Sequence, residues 1–455
     1  MNDFDIVIVG SGPAAVASLL ALDKSQRIAV IAGNLVSGNR QSSIHPKIRA
    51  VAAALNEFAG VTEPMHGAHG PRKPLYSTAV IGGLANYWGQ QIVRFSVGDP
   101  WPRHLFQDFT DYVSACETIE GAFSLEGQDQ IETRLPVGSN IRASVPRLLT
   151  GTRDDPGAGL ASMRAAYRTL EGRLGATTFE TRVSSFEQVG NRWKVLLDDG
   201  TSLLTQRVLL AAGVIGTARL LLRAYPDLSR ARFRDTSPWM LYVLNLGPLL
   251  EQRPLASRHH FNAVTIERMH NERCTLFASV YDMSRADFNL ILSSTIGRVS
   301  SLFRGWPAPP GAAIIKPVQV WTPASEDVIE VDASSLTASN LPRRNGGARA
   351  GPDLDSAIEI LEALGGRILK TSRTLAGFGF HYHALELKPK DQPYLTVADL
   401  LRERTGDGIF CVDGSILQAV GCRPHTLSAM ASAHHLVEQM TRTNHRASNV
   451  FGAGP

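Results

Sequence analysis

Cysteine is scarce in this chain of 455 residues, limited to Cys116, Cys274, Cys411 and Cys422. No two form a CxxC pair or a close-set framework, so free thiols of a reducing compartment are expected rather than disulfides. Apolar runs are short. None approaches the roughly 18 residues of a membrane-spanning helix, and no membrane association is expected. Blocks of like charge are missing too. No run of about five Lys or Arg occurs, and the formal net charge is only +4; this speaks against nucleic acid and fits a small anionic cofactor. No leader segment is expected, because an apolar strand pattern starts at Phe4, so a cytoplasmic protein is expected. There is no internal repeat and no long low-complexity stretch. The composition, 44% hydrophobic and 19% charged, is that of a globular protein with two interleaved domains.

The most informative stretch stands at the beginning. Phe4 to Val9 reads as a buried strand, Gly10-Ser11-Gly12-Pro13-Ala14-Ala15 as a glycine turn, Ala14 to Leu22 as a helix, and Ile28 to Ile31 as a second strand. This is the dinucleotide fingerprint in its strand–helix–strand setting, with Ala15 in the third glycine position. Gly10 makes the tight turn, Gly12 admits a pyrophosphate against the backbone, and the helix start offers free N–H groups to phosphate. One element is absent. The ribose-binding acid expected ~20 residues on falls near Ile31 or Ala32, where the chain reads Ile31-Ala32-Gly33-Asn34; Asn34 is the polar replacement at hand.

Further along, Gly38 to Gly70 mixes a helical patch, Ile48 to Phe58, with loop. A helix is expected over Leu105 to Ile119. Val183 to Leu204 alternates like paired strands around an Asp198-Asp199-Gly200 turn. Arg207 to Ala211 is a strand pattern followed by a glycine turn and a helix from Thr217. Between Pro238 and Val331 strand-like runs dominate: Met240 to Leu246, Thr275 to Val280, Leu290 to Ser293 and Ala313 to Trp321. Asp353 to Leu375 reads as helix, strand–turn–helix returns from Gly408 to Met440, and Thr441 to Pro455 reads as a frayed tail. The expected fold class is α/β: a Rossmann-like domain with an inserted antiparallel-sheet substrate domain. The cofactor domain takes residues 1–100, 151–230 and 396–445, the substrate domain 101–150 and 231–395, and 446–455 form a flexible tail.

Three segments narrow the reading: Arg207 to Leu221 with its Ala211-Ala212-Gly213-Val214-Ile215 core; Ile81-Gly82-Gly83-Leu84-Ala85-Asn86-Tyr87-Trp88-Gly89; and Cys411-Val412-Asp413-Gly414-Ser415 leading to Pro424-His425-Thr426-Leu427. With Gly10-Ser11-Gly12 they resemble the glucose–methanol–choline (GMC) oxidoreductases, nearest in motif to the pyranose-oxidase branch. The resemblance implies FAD, held non-covalently because Tyr87 stands where that branch has its flavin-linked histidine. It implies cofactor contacts at Gly10, Gly12, Pro13, Ala14, Ala15, Asn34, Gly82, Gly83, Asn86, Tyr87, Trp88, Val183, Ala212, Gly213, Asp413, Gly414 and Thr426. Residues 230–375 match nothing in the family.

The family's catalytic pair is a histidine on a strand and a histidine or asparagine at the start of the last helix. In Phe380-His381-Tyr382-His383-Ala384-Leu385, His381 takes the first place and Ala384 replaces a family glycine. His383 is a rival, and strand alternation puts 381 and 383 on the same face. For the second place His425 is the candidate; strict alignment on the proline would put Arg423 there. A histidine suits the chemistry, since an imidazole of pKa ~6.5 can take the proton of an alcohol whose hydride leaves for flavin N5. No metal is expected: His381 and His383 would need His434 or His435, which read as helix surface, and no acid or cysteine completes a set. The implied activity is oxidation of a small-molecule alcohol, such as a sugar, aminocyclitol or biosynthetic intermediate, to aldehyde or ketone. O₂ or another acceptor reoxidises the flavin. Two alternatives from other classes are a lyase or cyclase with structural FAD and a silent flavin-binding protein; a flavin monooxygenase is a rival among oxidoreductases.

Overall fold

The computed structural model describes residues 2–33, 81–87, 91–126, 140–152, 163–236, 238–252, 262–282, 315–323, 326–333, 338–339, 352–373 and 381–451. The expected helix 48–58 and strand 290–293 lie outside them.

In the strand Asn2–Val9 every residue from Ile6 to Val9 is buried, the continuous apolar run of a strand covered on both faces. It pairs in parallel with Ile28–Ala32 on one side and Ser202–Leu210 on the other, and Thr177–Glu180 extends the sheet beyond Ile28–Ala32. Ser202–Leu210 changes partner along its length. Residues 202–205 pair antiparallel with Arg192–Leu197, which turns back into Val183–Val189; residues 208–210 pair in parallel with Ile409–Cys411. The Asp198–Gly200 turn is present, with Gly200 at φ +84° and the Asp199 carboxylate accepting the Thr201 N–H at 2.9 Å.

Alternate residues of these strands enter opposite cores. Ile6, Ile8 and Val30 join one with the helices Pro13–Leu20, Phe109–Ala122, Met163–Leu174 and Thr426–Phe451. Val7, Val9, Ile31, Val208 and Leu210 join the other, closed by helix Gly213–Ala224 and a second sheet. That second, antiparallel sheet runs 338–339, Glu326–Asp332, Leu228–Thr236, His383–Pro389, Leu395–Thr396.

A third antiparallel sheet runs Arg367–Arg373, Trp239–Leu244, Lys316–Trp321, Arg273–Tyr281, Asn262–His270, Ile141–Ser144. One face, with Leu241, Val264, Ala278, Val318 and Val320, is apolar and packs under helices Gly247–Glu251 and Pro352–Ala363. Directly opposed residues of antiparallel strands share a face. The other face therefore carries Trp321 opposite Phe277, and Gln319 opposite both Ser279 and Met240. The whole is the α/β, Rossmann-like architecture with antiparallel sheets that the pattern predicts.

Several boundaries differ from expectation. The helix expected over Asp353 to Leu375 is Pro352–Ala363, and Arg367–Arg373 is a strand. Gly365 at φ +89° and Gly366 end the helix, with the Gly366 N–H bonded back to the Leu361 carbonyl. The helix expected from Leu105 starts at Phe109, because the Asp108 carboxylate accepts the Asp111 N–H and caps it there. The glycine turn after Leu210 is shorter than read, and helix starts at Gly213 instead of Thr217. The last helix runs on to Phe451, through most of the stretch read as tail. Among the described residues no helix is long and apolar enough to cross a membrane.

Candidate active site

Two glycine turns meet at the end of the first strand. Gly10 has φ +118°, and a Cβ there would stand 2.2 Å from the Ala211 carbonyl oxygen, so only glycine fits. Ser11 accepts the Gly82 N–H at 3.1 Å, and a Cβ on Gly83 would lie 3.3 Å from the Gly12 Cα. Helix Pro13–Leu20 opens directly behind with no side-chain cap, leaving its first N–H groups to a ligand, while Ala14 and Ala15 are buried against the sheet. Gly213, at φ +72° behind Ala212, has open space where a side chain would be. This bare-backbone cradle fits a dinucleotide. Asp413 is buried beside it; its carboxylate accepts the Thr217 hydroxyl at 2.6 Å and the Ser415 N–H at 2.9 Å. Burial raises its pKa above the ordinary carboxylate value.

From this loop the chain leads to three histidines. A Cβ on Gly414 would stand 2.9 Å from the Tyr382 carbonyl and 3.7 Å from His425 Nε2, so the glycine permits close approach of three segments. The His425 carbonyl accepts the Ala429 N–H at 2.9 Å, which places the ring at the start of the last helix, next to Thr426. Its ring centroid lies 5.2 Å from that of His381 and 6.5 Å from that of His383. His425 is partly accessible, with its ring set deep in the protein. Its Nδ1 is buried with no hydrogen-bond partner among the described residues. Burial, then the neighbouring His381 and His383, hold its pKa well below the usual 6.5.

The other two histidines differ in exposure. His381 is partly accessible and precedes the strand His383–Pro389, so the shared-face expectation from strand alternation does not apply. Its N–H is bound by Asp235 at 2.9 Å, and its ring stacks on Trp321 at 5.4 Å with 5° between the planes. His383 is fully buried and its Nδ1–H donates to the His381 carbonyl at 2.8 Å. In the neutral ring that leaves Nε2 as the acceptor. Ala384 follows at φ +53°, a glycine-like conformation kept by an alanine.

Arg423 points elsewhere. It donates to Asp99 at 3.0 Å, to Ser96 at 2.7 Å and to Glu267 at 3.2 Å, tying the approach to the last helix onto the third sheet. Asp99 also accepts the Cys274 N–H, and Cys422 Sγ donates to the Cys274 carbonyl at 2.8 Å. Val183 opens its strand with its side chain in the core. Asn34 and Trp88 lie outside the described residues; for Asn86 and Tyr87 only the backbone, a short 3₁₀ turn from Gly83, is described. His434 and His435, read as helix surface, are buried, with His435 against Phe106 at 4.5 Å between ring centres. Among the described residues no group of three or more His, Cys, Asp or Glu is arranged to hold a metal. Sequence reasoning missed Trp321 and Asp235, because Asp235 reaches His381 through pairing of strands far apart in the chain and Trp321 reaches it from a different sheet.

Compared by sequence, neither a family model nor a characterised protein matches the chain. Compared by structure, it is similar to pyridoxine 4-oxidase from Mesorbium loti. The likeness covers 96% of this chain and 99% of that one, with a TM-score of 0.59 and 15% identity. It shows a shared fold.

Proposed function

We propose that this chain is an FAD-dependent oxidoreductase that oxidises an alcohol of a small molecule to an aldehyde or ketone. The observation that carries the reading is the meeting of His381 and His425 at the start of the last helix, linked through Gly414 to the glycine cradle. Bound there, FAD would supply a hydride acceptor that O₂ or another acceptor could reoxidise. Gly10, Gly12, Gly82 and Gly83 would admit it, and the uncapped helix start at Pro13 would offer its N–H groups to the phosphates.

His425 takes the hydroxyl proton, and His381 holds the same oxygen from the other side. Its depressed pKa keeps His425 neutral at pH 7 and so ready to accept. His383, sealed behind them, fixes the His381 segment through its bond to that backbone carbonyl. Arg423, the other candidate for the second place, is engaged in ion pairs with Asp99 and Glu267. The cofactor unit comprises 1–100, 151–230 and 396–445, and the substrate unit 101–150 and 231–395, except that helix Phe109–Ala122, which shares its core with the last helix, counts with the cofactor unit.

His425→Ala is expected to retain FAD and to slow flavin reduction by about 10²-fold or more, the scale of general acid–base catalysis. Stopped-flow reduction under anaerobic conditions measures it, and an unchanged rate would remove His425 from the mechanism. The structural neighbour is a pyridoxine 4-oxidase, which puts pyridoxine first among the alcohols to test.

A further inference from the structure

The face of the third sheet turned toward His381 holds a donor that has no acceptor among the described residues. Trp321 is 5% exposed, with its ring stacked on His381 and tilted against Phe277. Its indole Nε1 is buried and has no acceptor among the described residues. A buried N–H without a partner is costly, and among the described residues none supplies the acceptor that this group calls for. Gln319 stands two residues earlier on the same strand and face, about 7 Å away at the strand rise. One end of its amide is bound by the Tyr281 hydroxyl, and the residue is partly accessible, opposite Met240.

We propose that Trp321 and Gln319 are the specificity-determining residues of the site, and that they select alcohols bearing a hydrogen-bond acceptor beside the reacting carbinol. The acceptor is a ring nitrogen or an oxygen bound to the ring. This rests on the oxidoreductase reading and adds its substrate class. The indole N–H takes the acceptor next to the carbon facing His381 and His425. The free end of the Gln319 amide takes a second polar atom, at a spacing that suits a single substituted ring. Met240 lines the wall with an apolar contact. The stacked His381 already occupies one face of the indole, so recognition passes through the N–H edge and not through stacking.

The test compares wild type, Trp321→Phe and Gln319→Leu, all loaded with FAD, on matched probes. Pyridoxine and 2-hydroxybenzyl alcohol carry the acceptor; benzyl alcohol and cyclohexanol lack it. Phenylalanine keeps a flat ring against His381 and removes only the N–H. Binding is read from perturbation of the flavin absorption bands, turnover from their anaerobic bleaching. The expected result is a KM for the acceptor-bearing probes that rises about 5- to 150-fold in Trp321→Phe, the equivalent of one lost buried hydrogen bond. Affinity for the acceptor-free probes stays weak in all three proteins. Equal KM values in wild type and Trp321→Phe, or equally good acceptor-free substrates, would overturn the proposal. If no probe bleaches the flavin yet the acceptor-bearing ones perturb it in wild type and not in Trp321→Phe, recognition stands and the oxidation reading falls. If no probe perturbs or bleaches any of the three, the recognition proposal falls. Should Trp321→Phe fail to hold FAD, Gln319→Leu decides on the same readouts.

Discussion

Single residues carry the chemistry, and the most exposed to test after His425 is Ala384. The family resemblance places a glycine there, and the backbone keeps the glycine conformation, φ +53°, while the side chain is alanine. An L-residue in that region carries strain of order 1–3 kcal/mol, partly offset because glycine gains freedom when unfolded. Ala384→Gly is therefore expected to raise stability by about 1 kcal/mol, read as a higher Tm; a lower Tm would show that the strain is absent. His425 makes a second prediction at this scale. With its pKa below 6.5, the acid limb of kcat/KM falls at a pH lower than an ordinary imidazole gives. At residue scale the sequence showed what local geometry demands. The turn at Gly10 was legible because its conformation tolerates no side chain, and the place of His425 at a helix start because small residues follow it. Trp321, Asp235 and the Asp99–Arg423–Glu267 cluster were not legible, since their partners arrive from segments far apart in the chain.

Elements were legible in proportion to how locally they are specified. The buried parallel strand Asn2–Val9 and the hairpin around Asp199 follow from apolar pattern and turn chemistry alone. Periodicity carried the helix reading on to Leu375, but Gly365 and Gly366 stop it, each glycine costing about 1 kcal/mol inside a helix. The strand that follows owes its state to pairing with Trp239–Leu244, which local pattern does not reveal. The start of helix Phe109–Ala122 depends on one carboxylate. Removing it with Asp108→Ala is expected to cost about 1 kcal/mol in urea unfolding. A change under a few tenths would mean that packing of Tyr112, Cys116 and Ile119 against the last helix sets that boundary instead.

At the scale of the whole molecule, two cores meet at the first sheet and the histidines sit where the last helix leaves it. Burial lowers the pKa of His104, His425 and His434 below 6.5 in the folded chain. An unfolded imidazole binds its proton near pH 6.5, and these three do so only at lower pH, so the unfolded state binds more protons as pH falls. Their contribution to stability is full above about pH 6.5 and is lost as pH drops toward the folded values. Tm is therefore expected to fall between pH 7.5 and 5.5, and a Tm that rises over that interval would contradict the burial of these rings. The overall architecture was legible because the fingerprint and the alternating middle specify two kinds of sheet. The third sheet's strand order was not, because it is made by pairing of strands far apart in the chain, from Ile141–Ser144 to Arg367–Arg373. The central claim, a flavin placed against a histidine pair that oxidises an alcohol, has one direct test: the absorbance spectrum of the purified protein during anaerobic addition of pyridoxine and related alcohols. Oxidised-flavin bands that bleach with one of them are the predicted result; a colourless protein that takes up no added FAD would contradict it.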